Sequence, residues 1–147
     1  GHAEAFVAAL KIPITEGAYD AHYRIDLDHI FMPTFASFRD ASAQMGTLLH
    51  EAAHATGAKH RLDRNFAERF KRDSLAIEEI CAELTASFVL ADLGIAHHPR
   101  ADHAAYVASW LRALKDDPRA IFTAASKAQA AADWMHAQQP QPEEIAA

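Results

Sequence analysis

Two histidines and a glutamate stand within five residues of one another, where the chain reads H-E-A-A-H from position 50. On a helix, positions i and i+4 share a face, so His50 and His54 can direct imidazole nitrogens at one tetrahedral zinc ion. Glu51 can then reach a water molecule held by that ion and act as the catalytic base. Because a chain with ten histidines can contain this spacing by chance, the neighbouring residues have to decide.

The residues around these three side chains predict an amphipathic helix. Asp40 or Ser42 can cap its start, and apolar residues recur along it at intervals of three and four. Gly57 follows at the position where a helix commonly ends in a left-handed residue. Both imidazoles should therefore lie in the last two turns of a helix that packs on the core.

A catalytic zinc ion needs a third protein ligand and keeps one position open. His60 is one candidate, because with Gly57 it completes the longer pattern H-E-x-x-H-x-x-G-x-x-H of the metzincins. Metzincins also require a methionine turn beneath the metal, and Met135, the only methionine downstream, falls within a helical pattern. A strongly charged stretch follows His60, which favours an exposed loop.

Glu79 and Glu83 are the other candidates, one turn apart in residues 74–93. This segment is apolar on nearly every side, which predicts a buried helix whose carboxylates need a cation or hydrogen-bond donors. It matches the E-x-x-A-acid element of gluzincins, in which the first carboxylate binds zinc and the second orients a ligating imidazole. We therefore predict Glu79 as the third metal ligand, with Glu83 in the supporting position and His60 or Glu83 as alternatives.

Further histidines lie beyond residue 94. His103 and Tyr106 share a helix face and are chemically suited to stabilise an oxyanion, although packing of that helix on the core explains them equally well. His97 and His98 stand in a loop flanked by proline, which favours exposure to solvent.

Composition limits the classes of function. A chain of 147 residues, 50% hydrophobic, is long enough for one domain with a core. Its net charge of −6 argues against binding a phosphate backbone. A single cysteine, Cys81, allows no disulfide within the chain, which favours the reducing cytoplasm. We find no membrane-spanning run and no signal peptide, and the opening Gly1-His2 indicates a domain excised from a longer protein.

The hydrophobic pattern predicts an α+β fold of zincin type, mostly helical, with a small antiparallel sheet beside the H-E-x-x-H helix. Strands are expected in residues 11–15 and 21–32. Helices are expected in residues 74–93, 102–114 and 117–137, the last with Pro118 at its first position. We expect one domain over residues 1–137 and a flexible tail over residues 138–147.

Several sequence blocks occur in a characteristic order along nearly the whole chain. They are DHIFMP at 28–33, TLLHEAAHATG at 47–57, RLDR at 61–64, EEICAEL at 78–84, DHAAYVASWL at 102–111, AIF at 120–122 and AADW at 131–134. In these blocks the chain resembles the metallopeptidase domain of ArdC-type antirestriction proteins, also called the polyvalent-protein metallopeptidases. The resemblance implies a zincin fold with His50, His54 and Glu79 on zinc and Glu51 as base. It also implies that DNA binding belongs to a separate N-terminal domain, to which nothing here corresponds.

We therefore expect a zinc-dependent metallopeptidase that acts on a protein or peptide substrate, with no membrane partner. The alternative is a non-catalytic, metal-bound module that masks a protein or nucleic-acid partner in antirestriction. A metal-free helical interaction domain is a further alternative. The sequence does not indicate the oligomeric state.

Overall fold

A short helix and a small sheet come first in the chain, and longer helices follow. The computed structural model describes residues 1–65, 72–96, 110–112 and 114–142. The elements in chain order are α1 (His2–Ala8), β1 (Ile14–Glu16), β2 (His22–Arg24), β3 (His29–Met32), a 3-10 turn (Phe35–Ser37), α2 (Ala41–Thr56), α3 (Arg72–Asp92) and α4 (Ala120–Ala137). The mostly helical α+β fold with a small sheet is as expected.

The sheet is mixed, whereas we expected it to be antiparallel throughout. Its order is β1-β3-β2, with β2 antiparallel and β1 parallel to the central strand. The predicted strand over residues 21–32 is in fact two strands, because Asp28 adopts a left-handed φ of 49° that aspartate tolerates. A further turn with Gly17 at φ 104° separates β1 from β2. With two chain reversals between them, β1 and β3 run in the same direction.

The core lies between the inner face of the sheet and the helices. On β3, Ile30 and Met32 are buried and alternate with more exposed neighbours, as expected for a strand with one covered face. They belong to one cluster with apolar residues of α2, including the fully buried Leu49. Helix α3 packs against both α2 and α4. Small residues on α4 allow close approach, and those that are buried are Ala120, Ala124, Ala128, Ala131 and Ala132.

Helix α2, which carries the H-E-x-x-H residues, is capped at both ends by side chains. Asp40 is the N-cap, and its carboxylate accepts a hydrogen bond of 2.8 Å from the backbone N–H of Ala43. At the other end Gly57 has a φ of −79°, so the expected left-handed termination is wrong. Arginines of the following loop donate instead to the last carbonyls: Arg64 to Ala53 at 2.7 Å and Arg61 to Ala55 at 3.0 Å.

The C-terminal region departs from the prediction in one detail. Helix α4 begins at Ala120, so Pro118 precedes it and does not occupy its first position. At its far end, Gln139 donates a hydrogen bond of 3.1 Å to the carbonyl of Phe6 in α1. Most of the helix expected at residues 102–114 falls outside the described residues. The limits of the domain and of the flexible tail stay predictions. Among the described residues, no helix has the length and apolar character needed to cross a membrane.

An ion pair fastens the sheet to the end of α2. Asp28 accepts hydrogen bonds from both terminal nitrogens of Arg61, at 2.8 and 2.9 Å, and from the Tyr23 hydroxyl at 2.6 Å. These hydrogen bonds, those from Arg61 above all, outweigh partial burial and lower the pKa of Asp28 to about 2. The Arg61 guanidinium also lies 5.8 Å from the ring centre of Trp134, so one side chain joins sheet, α2 and α4.

We predict that this pair makes stability depend on pH in the acid range. Because the folded-state pKa of Asp28 lies below its ordinary value of 3.8, the pair stabilises the fold fully above about pH 4. The stabilisation should be lost as the pH falls from about 4 towards 2. Asp28→Asn should cost about 1 kcal/mol at pH 7, since the carboxylate is one-third exposed.

Urea denaturation of both proteins across this pH range measures the effect. The difference in unfolding free energy should shrink below pH 4. A difference that stays constant down to pH 2 would show that the carboxylate charge of Asp28 contributes nothing.

Candidate metal centre

Helices α2 and α3 face each other across a buried polar cluster. His50 and His54 project from α2 one turn apart, with ring centres 4.9 Å apart and ring planes at 78°. Their side chains are 3% and 5% exposed, so water cannot satisfy their nitrogens. Opposite them α3 presents Glu79, whose side chain is 13% exposed. The spacing predicted from sequence therefore does bring these three residues together.

Glu79 stands between the two imidazoles. Its Oε2 lies 3.1 Å from Nε2 of His50, and its Oε1 lies 3.1 Å from Nε2 of His54. One ligand atom from each residue can be chosen so that all three lie within 4.8 Å of one another, a group that could hold a metal ion. Ligands of a tetrahedral zinc ion lie about 3.3 Å apart. Two imidazole nitrogens and a carboxylate oxygen within 4.8 Å of one another are a donor set that could hold a metal ion.

The other nitrogen of each imidazole also faces a carboxylate of α3. Nδ1 of His50 is 2.6 Å from Oε1 of Glu83, and Nδ1 of His54 is 2.7 Å from Oε2 of Glu78. Such outer carboxylates fix the orientation of ligating histidines and raise their basicity. Glu83 lies within ion-pair distance of His50, the residue that it was predicted to support, and that role stays a prediction. The contact of Glu78 was not predicted.

Glu78 is held in turn by a buried arginine. Nε of Arg64 donates to Oε1 at 2.8 Å and its Nη2 to Oε2 at 3.2 Å. Nη1 of Arg64 donates to Oγ1 of Thr56 at 2.8 Å. Arg64 belongs to the charged stretch after His60 that favoured an exposed loop from sequence, yet its side chain is only 5% exposed. One signal in the sequence could have indicated this contact. Glu78 is a third acidic residue in the apolar stretch of α3, and a buried carboxylate needs a cation nearby.

The electrostatics of the cluster reflect these contacts. Burial disfavours charge on His54, but the carboxylates of Glu78 and Glu79 outweigh it and raise its pKa to about 10. The pKa of His50 is also raised, since Glu79 and Glu83 outweigh burial. The pKa values of Glu78 and Glu79 are lowered by the histidines, against the opposing effect of burial. The cluster thus stabilises positive charge between the helices.

The chain belongs to the zincin-like metallopeptidase family. Its family model matches residues 1–127, which include the whole cluster.

Relatives of known sequence extend beyond this domain. An uncharacterized protein of Sinorhizobium fredii, y4eC, is 56% identical over 137 residues, which are 93% of this chain and 45% of that protein. The DNA primase TraC of Escherichia coli is 44% identical over 135 residues, 90% of this chain and 12% of the primase. The chain therefore spans less than half the length of these relatives.

Two crystal structures of the antirestriction protein ArdC from plasmid R388 resemble this fold at 44% sequence identity. The metal-free structure gives a TM-score of 0.82 over 93% of this chain and 50% of that one. The Mn(II)-bound structure gives a TM-score of 0.84 over 93% of this chain and 51% of that one. These matches confirm the resemblance and the fold class inferred from sequence.

Glu51, the expected base, is 6% exposed on α2 beside His50. Within the described part of the chain, no hydrogen bond or ion pair engages its carboxylate.

His60, the alternative third ligand, lies outside the described cluster. The imidazole of His60 is 62% exposed and lies 3.4 Å from Oδ2 of Asp28, apart from the three residues grouped as a possible metal site. Four residues singled out from the sequence fall outside the described residues: His97, His98, His103 and Tyr106.

Proposed function

We propose that this domain is a zinc-dependent peptidase that hydrolyses peptide bonds of a protein substrate. The observation that carries the proposal is the convergence of His50, His54 and Glu79 from two helices, with both Nε2 atoms turned towards one carboxylate. Three protein ligands with an open position are typical of catalytic zinc, whereas structural zinc is closed by four. Held by these residues, the ion would acidify a water molecule and polarise the scissile carbonyl.

In this proposal Glu51 carries the proton. It takes the proton of the attacking water as oxygen bonds to the carbonyl carbon, and returns it to the nitrogen as the C–N bond breaks. Its burial and the lack of donors among the described residues support this role, because a carboxylate tied to an arginine would be a poor base. We retain His103 and Tyr106 as candidates for hydrogen bonding to the developing oxyanion.

The relatives bear on whether the ion is catalytic. ArdC has been crystallised metal-free and with Mn(II), and both forms match this fold almost equally, with TM-scores of 0.82 and 0.84. That relative therefore adopts this fold without a bound metal ion, which is compatible with a role for the ion other than folding. Zinc is proposed from the donor set, and Mn(II) is the alternative.

We further propose that the domain works within an antirestriction protein of ArdC type in the cytoplasm, where its buried Cys81 stays reduced. DNA binding would come from another domain of the parent protein, given the net charge of −6 here. The rival is a non-catalytic, metal-bound module that masks a protein or nucleic-acid partner.

The metal assignment predicts a difference between two substitutions. Purified protein should carry about one zinc ion per chain. Glu79→Ala should lose it, because a ligand is removed outright, while the control His60→Ala should retain it. Metal analysis by mass spectrometry after dialysis measures both. Loss of zinc in His60→Ala but not in Glu79→Ala would support the metzincin arrangement instead.

The catalytic assignment predicts that Glu51→Gln separates binding from chemistry. This substitution keeps the size of the side chain and removes the base, so zinc should stay bound while turnover falls about 10²-fold or more. Glu4→Gln, which changes an exposed carboxylate on α1, is the control and should behave as wild type. Because the substrate is unidentified, a broad peptide library and the full-length parent protein are the assays to begin with.

Two results would count against this role of Glu51. Equal turnover at equal zinc occupancy would show that Glu51 is not the base. Antirestriction in cells that survives Glu51→Gln would favour the masking module over the peptidase.

A further inference from the structure

Arg64, Glu78 and His54 form a continuous buried chain of contacts behind the candidate metal position. The Arg64 guanidinium donates to both oxygens of Glu78, and Oε2 of Glu78 lies 2.7 Å from Nδ1 of His54. All three side chains are less than 10% exposed. The three residues come from three parts of the fold: α2, α3 and the loop that joins them.

We infer that Arg64 and Glu78 are a positioning pair that holds His54 as an Nε2 metal ligand, so that Arg64 acts on metal affinity through Glu78. The inference rests on the metal binding assigned in the proposed function and does not depend on whether peptides are cleaved.

The orientation of His54 follows from its two nitrogens. A neutral imidazole has one N–H donor and one acceptor, and a carboxylate can only accept. Because a carboxylate faces each nitrogen, both can carry a proton when no metal ion is bound. With an ion at Nε2, the contact with Glu78 would keep the remaining proton on Nδ1. A carboxylate at this position also makes the imidazole a stronger ligand.

Arginine suits the task of holding Glu78. The planar guanidinium meets both carboxylate oxygens at once, which fixes the rotamer of Glu78 as well as compensating its charge. Arg64 itself cannot shift easily, since it also donates to Oγ1 of Thr56 at 2.8 Å and to the carbonyl of Ala53 at 2.7 Å. Arg64 is thus fixed at the end of α2, and through Glu78 it holds His54 of the same helix in position.

The same loop supplies a matched control. The side chain of Arg61 is 8% exposed, pairs with both oxygens of Asp28 and donates to the carbonyl of Ala55 on α2. It resembles Arg64 in burial, in its forked ion pair and in capping α2. It differs in one respect, because no contact of the Asp28 carboxylate reaches His50 or His54. A general effect of losing an arginine from this loop should appear in both variants.

The test measures Co(II) and Zn(II) affinity at one fixed pH by competition with a chelator, together with the visible absorption of the Co(II) protein. Glu78→Gln should weaken binding about 10- to 100-fold, and Arg64→Lys about tenfold, because lysine keeps the charge but lacks the fork. Both should alter the Co(II) absorption bands, which report ligand geometry. Arg61→Lys should leave affinity within about twofold of wild type and the bands unchanged. Thermal melting of each metal-free variant records any loss of stability separately.

The double variant Arg64→Lys with Glu78→Gln shows whether the two residues act as one. If Arg64 acts through Glu78, the double variant should bind no more weakly than Glu78→Gln, within about twofold. Fully additive losses, or equal losses in Arg64→Lys and Arg61→Lys, would overturn the inference. Should Glu78→Gln fail to fold, the comparison of the two lysine variants still decides. A wild-type protein that binds neither ion would instead refute the metal site itself.

Discussion

The packing of α3 against α2 buries three carboxylates against two imidazoles. Much of the surrounding structure serves to compensate this buried negative charge. Glu78, Glu79 and Glu83 contact the histidines from one side, and Arg64 contributes one positive charge. With neutral imidazoles, as metal ligation requires, these groups together carry two negative charges. Buried charge is tolerated only when it is compensated. A divalent cation between His50, His54 and Glu79 would compensate both charges, and so would protons on the two imidazoles, whose pKa values are raised. The cluster is therefore suited to hold positive charge between the two helices.

The loop after α2 supplies the arginine that compensates part of this buried charge. It turns back over the helix end with Asp63 and Asn65 in left-handed conformations, at φ 49° and 41°, and thereby brings two arginines to the last carbonyls of α2. Arg64 points towards α3 and the cluster, while Arg61 points towards the sheet and Asp28. One short segment thus caps α2, binds the turn between β2 and β3 and supports the candidate site. The same residues therefore stabilise both the fold and the site.

How far the sequence could predict this structure depends on the range of each interaction. The H-E-x-x-H spacing and the approximate extent of α3 are local features that helical periodicity predicts, and residue type limited the N-cap of α2 to Asp40 or Ser42. Sequence patterns singled out Glu79 but gave no role to Glu78, because only the angle at which α3 crosses α2 decides which carboxylate faces which nitrogen. The role of Arg64 was not predicted, since a charged loop shows no sign in sequence of folding back. The parallel strand β1 was missed for the same reason: pairing across two chain reversals is tertiary.

The distribution of partners within the site bears on its chemistry. Among the acidic residues of the cluster, Glu78 and Glu79 each contact one or both histidines, and their lowered pKa values keep them ionised. Such carboxylates are stabilised as anions and make weak bases. Glu51 lies on the same helix as the histidines, is nearly as buried, and has no hydrogen bond or ion pair within the described residues. A module that only masks a partner would need the carboxylates that contact the histidines, but it would not need Glu51. A carboxylate beside the histidines that no hydrogen bond or ion pair holds among the described residues is suited to accept a proton, which supports the hydrolysis proposed above.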